Sequence, residues 1–563
     1  MSGKQMDVIA SIQEYINKIL TNIQGMKVLV LDKETAGIVS MVYTQSEILQ
    51  KEVFLFEKIE NTKEKMLHMK GVYFIRPTQE NIQSICDELK DPKFNKYHLF
   101  FTNTISKVSL DEIAKADEQD VVSEIQEYFG DFFAVNPDTF TLNLPGMLTK
   151  KSPRWQGDVG RVVDGLFSSL LALKKKPVIR YSSNSDTTRY LAEKITERMN
   201  RDRDLFDFRR QGEPLLLILD RKDDPITPLL HQWTYQAMIH ELLTINNNRV
   251  SLAKAPGIKD ELKEVVLSLD HDIFYKENLY KNFGDLGASI KDLVDQFQDK
   301  MNTNQNIQTI DDMKKFIENY PNFQKFSTTV SKHVSLMDEL NRLISLDNLM
   351  EVSEVQQELA CNHDHNSIYN HVLEIVNDSK YTDRDKLVLV LLYSIRYEDG
   401  RVWELKEKLS SIGIPPKEIG LIDTLRGYAG ASLREGDLLG TKNIFSFARS
   451  VVKRGLQGVS NIYTQHKPLL HDILDSILKN KLKETSYPYL STTQSRERPQ
   501  DVIIFMVGGI TYEEALTVYT FNSLNTGVCR VVLGGTSILN REQFLEDLSS
   551  TQISNPSSSS GRR

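Results

Sequence analysis

The sequence predicts an α/β protein with two doubly wound parallel sheets and a large, mainly helical insertion. The first 135 residues contain five short runs rich in β-branched and aromatic residues, with helix-length intervals between several of them. A second series of strands then begins and is completed only near the far end of the chain. Between these parts, residues 244–484 follow mainly helical periodicity.

The composition indicates several domains and argues against nucleic-acid binding. The 563 residues exceed what one hydrophobic core ordinarily holds, so about three domains are expected. The net charge of −8 argues against broad electrostatic binding to nucleic acid or anionic lipid. Cys86, Cys361 and Cys529 are too scattered for a disulfide framework or a zinc site, which is typical of a reducing cytosol. No signal peptide and no apolar run of about 20 residues is found, so membrane contact is expected only through partners.

Domain 1 is predicted to span residues 1–135. It begins with an amphipathic helix whose apolar stripe runs from Val8 to Ile23. The five predicted strands are Val28–Leu31, Val53–Phe56, Val72–Ile75, Leu99–Phe101 and Phe132–Val135. Two short helices are predicted between the fourth and fifth strands, one capped by Ser109 and one over Val121 to Phe129. Ile105, Leu110 or Val122 can either pack in the core, the commoner role, or line a groove between these helices.

Domain 2 is predicted to be split, with residues 136–243 and 485–548 building one sheet. Its first part contains a helix over Val162 to Leu173 and strands at Val178–Tyr181 and Leu215–Leu219. Its second part supplies strands at Val502–Val507 and Val531–Leu533. Each of these two is followed by a Gly-Gly pair, for which a tight turn with positive φ is favoured over a phosphate loop.

An acidic turn follows the Leu215 strand and offers the main candidate for chemistry. Asp220, Asp223 and Asp224 stand at the carboxyl end of a buried strand, where an α/β enzyme can hold Mg²⁺ or a phosphate. The alternative is a turn whose carboxylates cap backbone groups, and this is favoured because no Walker lysine loop accompanies the acids. A helix is predicted to follow from Leu229.

Domain 3, residues 244–484, is predicted to be mainly helical, with an extended helical hairpin at about 288–345. Short runs around Ala255-Pro256-Gly257 are predicted to pair as a β-hairpin. The polar tract from Asn302 to Gln308 is expected to form the tip of the helical hairpin, and Pro321 is expected to break or kink its second helix. The cluster from Cys361 to His365 matches no zinc pattern and is interpreted as a polar loop. The tail at 549–563 is of low complexity and is expected to be disordered.

Several tracts carry a resemblance to a known family. The most specific is Leu219 to Leu229 with the following Gln232 to Leu243, and the others cover nearly the whole chain. They include Met41–Val53, Ala116–Gln119, Ala134–Pro137, Ile245–Arg249, Ile317–Pro321, Val330–Val334, Leu349–Cys361, Ile462–Pro468, Arg498–Asp501 and Gly509–Tyr519. Together they resemble the Sec/Munc (SM) family of SNARE-binding proteins, and in particular its endosomal branch.

The resemblance implies a binding protein without enzymatic activity, cofactor or metal. It implies an arch of three domains, in which domains 1 and 3 frame a cleft. The implied partners are a syntaxin-like SNARE of the trans-Golgi network or endosome, a vesicle SNARE, the assembled SNARE complex and an endosomal Rab effector of the rabenosyn type. The implied location is cytoplasmic, peripherally on Golgi and endosomal membranes. The competing hypothesis is a phosphate- or nucleotide-handling α/β enzyme that uses the acidic turn.

The resemblance also implies three binding surfaces. The groove for the syntaxin N-terminal peptide matches Ile105, Leu110, Ile113, Ala114, Val122, Ile125 and Glu127. The syntaxin cleft matches Asp32 and Glu57, although the basic residue that neuronal-type members place on this face is not evident around Gly37 and Thr44. The vesicle-SNARE surface of the hairpin matches Pro321, Phe323, Val330, His333 and Val334.

Overall fold

The computed structural model describes most of the chain. The described residues are 6–150, 152–208, 212–305, 310–361, 364–398, 400–435, 439, 463–491 and 497–552. They form two compact units, the first made of 1–221, 472–510 and 517–538, the second of 222–471, 511–516 and 539–563. No helix among the described residues is long and apolar enough to cross a membrane.

The first sheet has five parallel strands in the order β2-β1-β3-β4-β5. Its strands are β1 (Lys27–Leu31), β2 (Val53–Lys58), β3 (Met66–Ile75), β4 (Phe94–Phe101) and β5 (Val122–Glu127). Its helices are α1 (Val8–Asn22), α2 (Lys33–Val42), α3 (Gln45–Leu49), α4 (Gln79–Leu89) and α5 (Lys107–Ala116). Buried side chains of α1 and α2 cover one face of the sheet and those of α4 and α5 cover the other. The predicted doubly wound sheet is therefore confirmed.

Two predictions about this sheet are wrong. The segment predicted as a second short helix is instead the edge strand β5, which pairs with β4 from Tyr97 to Phe101. Its apolar spacing suits a helix and a strand alike, and the free edge of β4 decides between them by offering a ladder of hydrogen bonds. The predicted fifth strand, Phe132–Val135, belongs to the second sheet, where Phe133–Asn136 pairs with Thr139–Thr141.

The second sheet has six strands in the order β6-β7-β13-β12-β9-β8. They are β6 (Phe133–Asn136), β7 (Thr139–Thr141), β8 (Val178–Tyr181), β9 (Leu215–Asp220), β12 (Asp501–Val507) and β13 (Arg530–Gly535). Among the described strands of this sheet, only β6 runs antiparallel to its neighbour. Its helices are α6 (Pro153–Ala172) and α7 (Asp186–Arg201), and α19 (Tyr512–Leu524) joins β12 to β13. β9 from the first half of the chain pairs with β12 from the far end, so this sheet is built from both parts, whereas the predicted domain bounds stay a prediction.

The two Gly-Gly pairs have different physical causes. Gly508 and Gly509 have φ of 90° and 96°, so they form the predicted positive-φ turn. Gly534 and Gly535 instead end strand β13, and the prediction of a positive-φ turn is wrong there. A Cβ atom on Gly534 would lie 2.1 Å from the ring of Phe140, so the close approach of β7 excludes a side chain.

The remaining elements are mainly helical, as predicted. They are α8 (Tyr235–Leu243), β10 (Arg249–Ser251), β11 (Glu264–Val266), α9 (Ile273–Asn278), α10 (Phe283–Gln305), α11 (Ile310–Leu346), α12 (Leu349–Cys361), α13 (His365–Asn377), α14 (Asp383–Arg396), α15 (Val402–Ser411), α16 (Pro416–Ile419), α17 (Leu421–Ala429), α18 (Leu469–Leu478) and α20 (Arg541–Gln552). β10 and β11 form the predicted antiparallel pair. The helix predicted from Leu229 begins only at Tyr235, after a 3₁₀ turn over Thr227–Leu229.

The helical hairpin consists of α10 and α11, which pack against each other. The predicted break at Pro321 is absent, because α11 is one helix of 37 residues with Pro321 inside it. Pro321 is exposed, so the carbonyl group that it leaves without a helical donor can be hydrated. Part of the predicted tip, residues 306–309, lies outside the described residues, as does His363 of the candidate metal cluster. At the other end of the chain α20 continues to Gln552, four residues into the predicted tail, and residues 553–563 lie outside the description.

Candidate functional site

The predicted peptide groove lies between helix α5 and the edge strand β5. Ser106 caps α5 by accepting a hydrogen bond from the backbone N–H of Ser109 at 3.0 Å. Ile105, which precedes this cap, packs with Val122 and Ile125 of β5 against the core cluster that contains Ile113. These four predicted residues therefore belong to or pack against one core cluster, and the element that follows α5 is a strand instead of the predicted helix.

Helix geometry separates the predicted residues of α5 into two groups. Ile113 is 1% exposed and faces the sheet, so it supports the groove from inside and is not open to a partner. At about 100° per residue, Leu110 and Ala114 lie together on one flank of the helix, whereas Glu112 lies on the other. The carboxylate of Glu112 accepts a hydrogen bond from the side-chain amide of Gln79 on α4. Leu110, half-buried, and Ala114, exposed, therefore face away from α4 towards the edge strand.

Glu127 ties the end of β5 to the start of α5. Its carboxylate accepts a hydrogen bond from the backbone N–H of Ile105 at 2.8 Å. Burial raises the pKa of Glu127 above its usual value, while the bond from Ile105 opposes this rise. Because a carboxylate that bonds the protein's own backbone has less capacity for a partner, we assign Glu127 chiefly to holding the groove in shape.

Arg198 of α7 secures the loop that leads into α5, a role that no local sequence pattern indicates. Its guanidinium donates to the side-chain oxygen of Asn103 at 3.2 Å and to the hydroxyl of Thr104. It also bonds Asp202 at 2.6 Å and lies 4.7 Å from the ring centre of Phe167. Arg198 and Asn103 are 95 residues apart, so no local pattern links them.

The outer edge of β5 is a second feature beside α5 that suits peptide binding. β5 pairs with β4 on one side and is the last strand of its sheet. An edge strand offers backbone donors and acceptors to an extended peptide, and adjacent apolar side chains can hold an anchor residue. The arrangement suits a short extended peptide with at least one apolar side chain.

The two predicted cleft residues differ in their availability. Asp32 is 5% exposed and caps α2, and its carboxylate accepts bonds from the backbone N–H groups of Thr35 and Arg76 and from the amide of Asn81, at 2.7–2.8 Å. These bonds stabilise domain 1, and we leave Asp32 out of any binding surface. Glu57 lies on the edge strand β2, opposite Val30, and is half-buried. The contribution of Glu57 to the syntaxin cleft stays a prediction.

The hairpin residues also separate into surface and core. Pro321 is exposed, and Phe323 and Val334 are half-buried. The ring of Phe323 stacks on Phe297 of α10 with ring centres 5.7 Å apart, which holds the two arms together. Val330 is 6% exposed and His333 is fully buried, so the predicted surface contact of these two residues is corrected to a core role. A helical stripe in the sequence does not distinguish a core face from a partner face.

The acidic turn is occupied by internal bonds. Asp220 accepts from the hydroxyl of Ser185 at 2.5 Å, and Asp223 accepts from the backbone N–H of Glu435 at 2.9 Å. Asp224 accepts from the backbone and hydroxyl of Thr227 and from the backbone N–H of Leu469. Asp223 and Asp224 therefore cap backbone N–H groups, as the favoured interpretation predicted, whereas Asp220 accepts from a side-chain hydroxyl. Across the described residues no group of His, Cys, Asp and Glu side chains has the arrangement of a metal site.

Comparisons with known proteins place this geometry in one family. The model of the Sec1 family matches residues 27–547. Vacuolar protein sorting-associated protein 45 of Rattus norvegicus is 48% identical over 555 residues and covers 96% of both chains. The homologue of Arabidopsis thaliana is 46% identical and covers 97% of this chain and 98% of its own. A solved structure described as the SM protein Vps45 in complex with the Qa SNARE Tlg2 (1-310) is 41% identical, with a TM-score of 0.90, and covers 98% of this chain and 99% of its own.

Proposed function

Since the chain belongs to the Sec1 family, we propose that it is an SM-type regulator that binds a syntaxin-like SNARE and promotes SNARE assembly for vesicle fusion. The observation that carries the proposal is the similarity, along nearly its whole length, to a Vps45 that is itself bound to a Qa SNARE. The relatives' names further support a role in vacuolar protein sorting, and we propose peripheral residence on trans-Golgi and endosomal membranes.

We propose that the groove between α5 and β5 receives the N-terminal peptide of the syntaxin. The peptide extends along the open edge of β5, and one apolar side chain enters between Leu110 and the apolar wall formed by Ile105, Val122 and Ile125. Main-chain bonds to the strand edge contribute affinity, while the pocket selects the anchor residue. Arg198 and Glu127 keep the loop before α5 in place on binding.

The hairpin is proposed to hold a vesicle SNARE beside the syntaxin. α11 is a single long helix with Pro321 exposed and Phe323 and Val334 half-buried. An amphipathic partner helix can lie along such a face and bury the accessible parts of these side chains. The predicted Rab effector has no surface assigned to it and stays a prediction.

A pull-down with a panel of syntaxin cytoplasmic segments tests the proposed function. Each segment is offered with and without its N-terminal peptide, at a salt concentration near 150 mM. Selective capture of one endosomal syntaxin, weakened by removal of the peptide, is the expected result. Equal capture of every syntaxin, or of none, contradicts the proposal.

We further propose that the protein does not act as an enzyme. All three carboxylates of the acidic turn accept bonds from the protein's own donors, which leaves little capacity to bind a cation. Titration calorimetry with Mg²⁺, alone and with ATP or GTP, is expected to give no heat of binding. Saturable heat that disappears in an Asp224→Asn variant would restore the nucleotide-handling alternative.

A further inference from the structure

The root of helix α11 contains a buried chain of polar side chains that the binding surfaces do not use. His333 is fully buried, and both of its ring nitrogens have partners. Its Nδ1 lies 2.7 Å from the hydroxyl of Tyr235 on α8, and its Nε2 lies 2.8 Å from Oδ2 of Asp272. Lys332, the preceding residue, forms an ion pair with the same carboxylate. We call Tyr235, His333 and Asp272 the root relay.

The protonation of the relay follows from its geometry. A carboxylate only accepts, so Nε2–H of His333 must donate to Asp272. Burial lowers the pKa of His333 below its usual value, so the ring is neutral near pH 7 and Nδ1 is an acceptor. The hydroxyl of Tyr235 must then donate to Nδ1. The donor and acceptor of each bond are thus defined: Tyr235 of α8 donates to His333 of α11, and His333 donates to Asp272.

Further contacts surround the relay. Asp272 caps α9 by accepting from the backbone N–H of Tyr275 at 2.9 Å. The ring of His333 packs against Phe274 with ring centres 4.6 Å apart, and Lys332 donates to the backbone carbonyl of Val266 in β11 at 3.1 Å. Three separate elements, α8, α9 and β11, therefore hold the same turn of α11.

We propose that the root relay positions the long arm of the hairpin, so that α11 presents its vesicle-SNARE surface from a fixed base. This inference rests on the proposed function of the hairpin. It makes Tyr235, His333 and Asp272 positioning residues, since none of them is open to a partner. Loss of one relay bond leaves a buried polar atom unpaired and favours local opening of the root. A partner helix that needs the arm in one orientation then binds more weakly.

Tyr235→Phe is the variant of choice, because it removes one hydroxyl and preserves the ring. Its matched control is Tyr369→Phe, which removes a hydroxyl that donates to Glu404 at 2.7 Å on α15. Amide hydrogen exchange over residues 330–340 is compared with exchange in α12, which serves as an internal reference. Binding of the vesicle-SNARE cytoplasmic segment and of the syntaxin N-terminal peptide is measured on the same full-length preparations.

In Tyr235→Phe, exchange over residues 330–340 should accelerate about tenfold, and vesicle-SNARE affinity should fall about tenfold. Syntaxin-peptide affinity should stay at the parent value, and Tyr369→Phe should change neither readout. Unchanged exchange in Tyr235→Phe overturns the relay, and faster exchange with unchanged vesicle-SNARE affinity overturns its positioning role. If Tyr369→Phe changes hydrogen exchange and vesicle-SNARE affinity as much as Tyr235→Phe does, the effect is not specific to the root relay. If the parent itself does not bind the vesicle SNARE, the proposed function of the hairpin fails, whereas the exchange measurement still decides whether the relay anchors α11.

Discussion

Replacing Leu110 by lysine tests the peptide groove directly. Transfer of a leucine side chain from water to apolar surroundings is worth roughly 1.5–3 kcal/mol, and Leu110 is already half-buried in the free protein. Contact with an anchor residue therefore adds about 1 kcal/mol. A lysine loses this gain and places an ammonium group in the groove, which costs about 2 kcal/mol more. The sum, about 3 kcal/mol, corresponds to roughly 100-fold weaker peptide binding.

Fluorescence anisotropy with a labelled syntaxin N-terminal peptide measures this loss. Val108→Lys is the matched control, because Val108 lies on the same helix, is 67% exposed and points about 160° away from Leu110. It should bind the peptide like the parent. Melting followed by circular dichroism establishes that both variants are folded. Parental affinity in a folded Leu110→Lys variant, or an equal loss in Val108→Lys, would show that the groove lies elsewhere.

Three further predictions concern the hairpin and the buried charges of the helical part. Pro321→Ala supplies the backbone N–H that Pro321 lacks inside the continuous helix α11 and removes a helix penalty of about 3 kcal/mol, so hydrogen exchange over residues 320–324 should slow; unchanged exchange would contradict this expectation. Arg541→Met leaves the carboxylates of Asp385 and Glu241 buried without their cation and should destabilise the protein by about 3–5 kcal/mol in chemical denaturation. Arg384→Met is the control, because Arg384 forms a more exposed pair with Glu542; this variant should lose about 1 kcal/mol of stability or less. Burial, assisted by Arg541, lowers the pKa of His231 to about 4, so the unfolded chain takes up a proton at this residue at higher pH than the native protein does. The free energy of unfolding should therefore fall by up to about 3 kcal/mol between about pH 6.5 and pH 4. His231→Gln should flatten this part of the profile of stability against pH.

The sequence by itself determined the elements whose pattern is local. The unbroken apolar run from Leu215 to Leu219 specifies a strand buried on both faces, and the structure places it in the interior of a parallel sheet between β8 and β12. The acidic residues after it specify a capped turn. The strand pattern that restarts near Val178 does not finish locally, and its further strands at Val502 and Val531 appear only near the far end of the chain, which indicated a sheet built from both ends.

Tertiary structure alone decided the properties that depend on distant neighbours. The segment from Val122 to Glu127 fits a helix or a strand locally, and only the free edge of β4 makes it a strand. His333 and Val334 follow each other in sequence and point about 100° apart on α11, and only the contacts of His333 with Tyr235 and Asp272 decide that His333 is the one sealed in the core. Arg198 secures a loop 95 residues away. Residue spacing reports which side chains share a face, whereas what covers that face depends on contacts between segments far apart in the chain.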